Sequence, residues 1–301
     1  MDTTQKAFIG LSLAKYILFK CLTQNGFLAL YFDHKLKTED KLEIKMTPKT
    51  VPVGTKVITF LSAVGEIVVY YGASLTAVLR NKLDRPRTYG EMNALGVNSL
   101  PIVMIINTFA GMVIALHLSS TFADFGITSQ LGHLLTIAFA RELAPILTGV
   151  VVAGRAGSAI AAEIGAMMVS EQIDALKTLG IEPHAYLIGP KILAGFLMLP
   201  LLIVVANLAG ICGGMGLAVY LKHLTVLTFV DSILTYIKPW DFLGGIFKGF
   251  FFGLVVAGIG TYYGMHTKNG ATGVGTAATK AVVSSIITLF VLNFILTILL
   301  Y

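Results

Sequence analysis

Apolar runs long enough to cross a bilayer alternate with short polar breaks from residue 97 to the end of the chain. Val97–Ser120, Leu131–Val152, Ile188–Leu221, Phe242–Met265 and Val282–Tyr301 each supply the roughly 20 apolar residues that a helix needs to span a hydrocarbon core of about 30 Å. The pattern therefore predicts an all-α membrane protein with about five transmembrane helices. Pro101 falls near the start of the first run, where a helix tolerates proline. The third run is 34 residues long, so its helix must tilt, bend at Pro200 or extend past the bilayer. The breaks Thr121–Gln130 and Lys222–Asp241 read as far-side loops. Lys268–Lys280 (KNGATGVGTAATK) reads as a flexible cytoplasmic loop leading into the fifth span.

The upstream part is patterned differently. Val57–Leu79 is long enough to span, but Glu66 sits near its centre. Lys56 precedes it, and Arg80, Lys82, Arg85 and Arg87 follow it. Basic residues at both ends favour a helix lying on the cytoplasmic surface, with a tilted span as the alternative. Ala7–Phe32 is apolar but broken by Lys15 and Lys20, and it has neither a clean apolar core nor a small-residue cleavage pattern. It reads as an interfacial amphipathic helix rather than a signal peptide, with an extra span as the alternative. Asp33–Lys56, rich in Lys, Asp and Glu, is a solvated linker. The chain divides into an N-terminal extension and linker (1–55), an interfacial helix with its connector (56–95) and a membrane domain (96–301).

Gly154–Pro183 is the longest polar-bearing stretch within the apolar part. Ser158 is placed to cap a helix, and Gly180 with Pro183 to stop one. Glu163, Ser170, Asp174 and Lys177 fall on one face of that helix, while Met168, Ile173, Leu176 and Leu179 lie mostly on the other. Such a helix either docks a soluble partner or is a surface loop between spans two and three. Spacing alone does not separate these readings.

Bulk composition agrees with the pattern and adds an orientation. The chain is 55% hydrophobic and 13% charged, with mean hydropathy +0.81, too apolar for a soluble domain of 301 residues. Its net charge of +6 would suggest nucleic acid in a soluble protein. Here thirteen of the 22 Lys and Arg precede residue 93, and none lies between His117 and Gln130. That asymmetry places the N-terminus inside and the C-terminus outside and gives no reason to expect nucleic acid. Cys21 and Cys212 form neither a disulfide framework nor a metal site.

Arg141, Glu142 and Lys248 are the costly residues, because a charge at bilayer depth costs on the order of a few kcal/mol and survives only against protein, water or a partner. Arg141 and Glu142 are adjacent and point about 100° apart on a helix, so they do not simply pair with each other. Either Glu142 and Lys248 line a translocation path with Arg141 nearby or at its mouth, or they form an ion pair that fixes helix packing. Gly245, Gly249 and Gly253, and again Gly210 and Gly214, are spaced four apart. Small residues at this spacing let helices approach closely in lipid, in tight bundles or at a dimer seam. G-x-x-x-x-G-K-[ST] is absent, so the chain does not hydrolyse ATP by itself. The six His are scattered, no metal-ligand cluster or nucleophile elbow is apparent, and no catalytic residue, metal or cofactor is expected. On these residues alone an ion-coupled secondary transporter using Arg141, Glu142 and Lys248 is one candidate. A polytopic enzyme acting on lipids is disfavoured for want of a catalytic constellation.

Residues 140–183 read ARELAPILTGVVVAGRAGSAIAAEIGAMMVSEQIDALKTLGIEP. With PKILAG (190–195), LPLL (199–202) and GATGVGTAATKAVV (270–283), they carry RELAP, AGRAGSA, AEIG and EQIDAL in the order and spacing of the MlaE family of ABC-transporter permeases. The resemblance runs from about Val57 to Tyr301 and leans toward cyanobacterial and plastid-encoded members. It implies a non-enzymatic permease subunit moving phospholipid or a related polar lipid as a homodimer in an inner or envelope membrane. It further implies a separate ATPase subunit on the cytoplasmic face and a lipid-binding substrate-binding protein on the far side. Val57–Leu79 would be the family's elbow helix. Gly154–Pro183 would contain the coupling helix, with Glu163, Glu171, Asp174 and Gly180 carried over as coupling residues. Glu142 and Lys248 would map to the polar cavity. One departure stands out: some bacterial members have an acidic residue where this chain has Asn293.

Overall fold

The computed structural model describes residues 70, 72, 85–124, 130–222 and 225–301, all within one compact unit, Val57–Tyr301. The expectations for Ala7–Phe32 and Asp33–Lys56 lie outside the described residues. So does most of Val57–Leu79, of which only Tyr70 and Gly72 are described, both helical.

Helix α1 (Arg85–Leu95) passes through a short 3-10 turn (Val97–Ser99) into α2 (Leu100–Asp124). The long second helix α3 runs Leu131–Val169, and the short α4 (Gln172–Thr178) follows it. A π-helical turn (His184–Ile188) opens α5 (Gly189–Lys222). α6 (Val226–Tyr236), α7 (Pro239–Met265) and α8 (Gly270–Leu300) complete the chain. Five of these, Arg85–Phe122, Leu131–Val169, His184–Tyr220, Pro239–Met265 and Gly270–Leu300, are long and apolar enough to cross a membrane. At about 1.5 Å per residue the 39 residues of the second exceed a hydrocarbon core of about 30 Å, so its end carries structure beyond the bilayer.

α5 packs against α1 and α2 on one side and α7 on the other, while α3 and α8 close against α7. Glycine makes these crossings close. A side chain at Gly111 would run into the backbone of Gly210, and one at Gly253 into the backbone of Gly195. A Cβ at Gly249 would come 2.9 Å from Pro200 Cα, and at Gly214 2.8 Å from Leu135 of α3. Gly245 backs onto the Ala140 carbonyl, and Gly210 also onto the Phe139 ring. All five glycines of the two stripes therefore face neighbours within the chain, where packing rather than apolar burial drives association in lipid.

Several expectations are corrected. Gly270–Lys280 is not a flexible loop but the first turns of α8. Asn269 and Gly270, both at positive φ (68° and 63°), turn the chain. The Thr272 and Thr276 hydroxyls return to the carbonyls of Asn269 and Gly273, and small Ala277 and Ala281 are buried. Lys222–Asp241 is not a loop throughout. It holds α6, and α7 starts at Pro239, with Asp241 Oδ2 accepting the Lys238 N–H at 2.9 Å. Ser158 caps nothing. It lies inside α3, and its hydroxyl bonds back to the Gly154 carbonyl. The single amphipathic helix expected over Gly154–Pro183 is broken at Ser170–Glu171, where Glu171 takes a left-handed conformation (φ 58°). Glu163 thus belongs to α3 and Asp174 to α4. Leu179, expected on the apolar side, is exposed. Pro200 lies inside α5, which is helical over all its 34 residues.

Candidate functional site

Two charge clusters, each built on a buried lysine, sit toward opposite ends of the bundle. The first grows from the RELAP segment. Phe139–Leu143 forms a π turn in α3, and Pro145 follows it. Proline has no N–H for the carbonyl four residues back, so Arg141 C=O is released from the helix ladder. Lys248 Nζ of α7 donates to that carbonyl at 2.8 Å. The same ammonium donates to Glu142 Oε1 and to Thr297 Oγ1 of α8, each at 2.8 Å. Its three N–H groups have three acceptors, and the side chain is 0% exposed. Glu142 keeps 35% of its side chain exposed, and its other oxygen, Oε2, accepts from Asn293 Nδ2 at 2.8 Å. Thr297 Oγ1 also lies 2.9 Å from Glu142 Oε1 and 2.8 Å from the Asn293 carbonyl, with one proton for the two. Asn293 is the position at which the resemblance implies an acidic residue in some members. Here its amide donates to the carboxylate instead of adding a second negative charge.

Arg141 faces elsewhere, as its offset from Glu142 requires. Its Nε and Nη2 both reach Asp241 Oδ1, at 2.9 and 2.7 Å, and its guanidinium lies 4.4 Å from the centroid of the Tyr301 ring. The Tyr301 hydroxyl donates to the Asp241 carbonyl at 3.2 Å. The three sequence candidates are thus together, as two adjacent pairs, each balanced in charge.

The second cluster lies toward the other end of α3, and of its members only Glu163 was singled out in the sequence. Lys191, 1% exposed, sits one turn into α5. It donates to Glu91 Oε1 of α1 and Glu163 Oε2 of α3, both at 2.7 Å. Beside it Arg155, in a second π turn of α3 (Ala153–Gly157), donates to the Ala94 carbonyl at 3.0 Å and Ser99 Oγ at 2.7 Å. Glu163, whose side chain is 50% exposed, is therefore tied to α5 through Lys191. Glu171, Asp174 and Gly180 are apart from it on the exposed α4 hairpin. Asp174 pairs there with Lys177 at 2.8 Å, and Gly180 closes the hairpin with φ 76° and open space around it. Among the described residues no group of His, Cys, Asp and Glu is placed to hold a metal ion. Asp241, Thr297, Tyr301, Lys191, Glu91 and Arg155 were not singled out from sequence. A lone lysine near the head of a 34-residue apolar helix was the available signal for Lys191.

Five apolar helices around charges held at bilayer depth define a multi-pass membrane protein with a polar interior. The chain belongs to the MlaE permease family, ABC-transporter permeases: the family model Permease MlaE matches residues 88–299. It is 40% identical over 220 residues to the probable ABC transporter permease protein slr1045 of Synechocystis, covering 73% of this chain and 84% of that one. The chloroplastic protein TRIGALACTOSYLDIACYLGLYCEROL 1 of Arabidopsis thaliana is 35% identical over 226 residues, 75% of this chain and 65% of that one. The probable ABC transporter permease protein ycf63 of Pyropia yezoensis is 34% identical over 216 residues, 72% and 82% of the two chains.

Proposed function

We propose that the chain is the membrane subunit of a lipid transporter, moving phospholipid or a related polar lipid, with ATP hydrolysed by a separate subunit. The observation that carries this reading is the Glu142–Lys248–Asn293–Thr297 cluster. It combines a fully saturated buried ammonium with a carboxylate that is one-third exposed at bilayer depth. Such an edge presents hydrogen-bond acceptors to a headgroup inside an otherwise apolar bundle, while the acyl chains meet apolar helix surface. Arg141 positions this edge through Asp241. The relative named after trigalactosyldiacylglycerol supports a lipid cargo, and the plastid and cyanobacterial relatives support an envelope or inner membrane.

The α4 hairpin is the surface for the ATPase. Glu171, Asp174 and Gly180 lie there, and Glu163, half exposed, acts by holding α3 to α5. A homodimer, with a lipid-binding protein on the far side, completes the assembly. The test is purification of the tagged chain from its membrane in mild detergent, with mass spectrometry of associated protein and lipid. The expected result is a Walker-motif ATPase together with bound polar lipid, and Glu171→Lys losing the ATPase while keeping the lipid. Recovery of lipid-free chain with no ATPase would overturn the reading.

A further inference from the structure

α6 has three faces rather than two. At roughly 100° per residue, Phe229, Ser232 and Ile233 share one sector. Phe229 and Ser232 are buried, and Phe229 O and Ser232 Oγ would each lie 2.5 Å from a Cβ added at Gly132, at the head of α3. Val226, Val230, Leu234 and Leu227 fill the next sector, and all four are exposed, Leu227 and Leu234 at 74% and 76%. Thr228, Asp231 and Thr235 fill the third and are also exposed. The apolar sector is aliphatic throughout, with no donor or acceptor on it, and it borders directly on the polar one.

Both ends of α6 are tied to spans. Residues 223–225 separate it from α5, and only Ile237 and Lys238 separate it from α7. It therefore lies at the depth where two spanning helices meet the boundary of the bilayer. Just beyond that second junction, Trp240, Leu243, Phe247 and Phe251 form an exposed apolar row along α7, so the outward apolar surface of the span continues to the foot of α6. Tryptophan at such a boundary is the usual interfacial anchor.

We propose that α6 is an in-plane interfacial helix, with Val226, Leu227, Val230 and Leu234 seated in lipid at the headgroup–acyl boundary and Thr228, Asp231 and Thr235 in water. The occupant of the apolar sector is membrane lipid, because the bilayer edge is fixed there by the two spans and because a helix with protein, apolar and polar faces satisfies all three surroundings only in that plane. The proposal rests on the five spans and not on the transport reading, so it stands or falls without an ATPase or a cargo.

The test uses the full-length chain in vesicles of phosphatidylcholine and phosphatidylglycerol. Bimane is placed at single cysteines at positions 227, 234, 228 and 235 in a background carrying Cys21→Ser and Cys212→Ser. Positions 227 and 234 are expected to be quenched more by lipid bearing a shallow nitroxide than by lipid bearing a deep one, and to lose quenching by aqueous iodide. Positions 228 and 235 are expected to keep it. Iodide quenching at 227 and 234 would place that sector in water. Quenching by neither reagent would place protein, a second copy or another partner, over it. Either result overturns the proposal. Trp240 is the single tryptophan, so its emission reads the same junction in the unsubstituted chain. It too must be quenched by shallow nitroxide lipid more than by deep.

Discussion

Lys248 has three N–H groups and three acceptors, and that arithmetic decides what its removal does. In Lys248→Met the Glu142 carboxylate loses its counter-ion and the Arg141 carbonyl, already released by Pro145, loses its donor. Breaking a buried pair from one side costs about 3–5 kcal/mol, and the cost here falls toward the low end, about 3 kcal/mol, because Glu142 retains contact with solvent. The double substitution Glu142→Gln with Lys248→Met removes the orphaned charge, so it is expected to regain part of that loss. A thermal-unfolding cycle of the two single variants and the double in detergent measures the coupling. Additive losses would show that the pair is not one unit. The sequence located these two residues because charge within an apolar run is conspicuous. It did not locate Thr297 or Tyr301, whose roles depend on which turn of α8 meets α3. Nor did it reveal that Asp241 takes up Arg141. That residue sits at the foot of α7, and an acidic residue there reads as an ordinary helix-start signal.

At the scale of elements, α1 is held to the bundle by charge as well as by packing. Lys191 binds Glu91 of α1 and Glu163 of α3 at once, and Arg155 holds the Ala94 carbonyl and Ser99 where α1 passes into α2. Lys191→Met leaves two carboxylates facing each other across the place of a lost cation. The expected outcome is local: amide hydrogen exchange in residues 85–99 rises, while exchange in α7 and α8 is unchanged. Equal loss of protection throughout would make Lys191 a general packing residue. The spans themselves were legible because about 20 consecutive apolar residues have few other uses. Their ends were not. α8 starts twelve residues before the apolar run expected for it, with glycine, threonine and alanine that hydropathy reads as loop. There the threonine hydroxyls bond back to the helix and the small side chains pack against neighbours.

At the scale of the molecule, α3 is the connection between the two ends. Its N-terminal half carries Arg141 and Glu142, and its C-terminal end carries Glu163 and leads through Glu171 into α4. Both of its π turns carry charged residues, Arg141 and Glu142 in one and Arg155 in the other, and single-turn π bulges of this kind recur at functional sites in α-helices. Only the break at Ser170–Glu171 separates α4 from the continuous α3 that carries Arg141 and Glu142. This arrangement makes the two ends separable by experiment. Asp174→Arg is expected to abolish association with the ATPase while leaving bound lipid and thermal stability as in the unsubstituted chain, because Asp174 is exposed and pairs only across α4. Glu142→Gln is expected to keep the ATPase bound but to lower lipid-stimulated ATP hydrolysis in reconstituted vesicles, because its carboxylate is the open edge of the cluster. Phospholipid and galactolipid vesicles tested side by side would show which headgroup that edge accepts. If Glu142→Gln left stimulation intact for every lipid and lowered only the melting temperature, the cluster would be a structural tie, and the path would have to be sought on another face of α3.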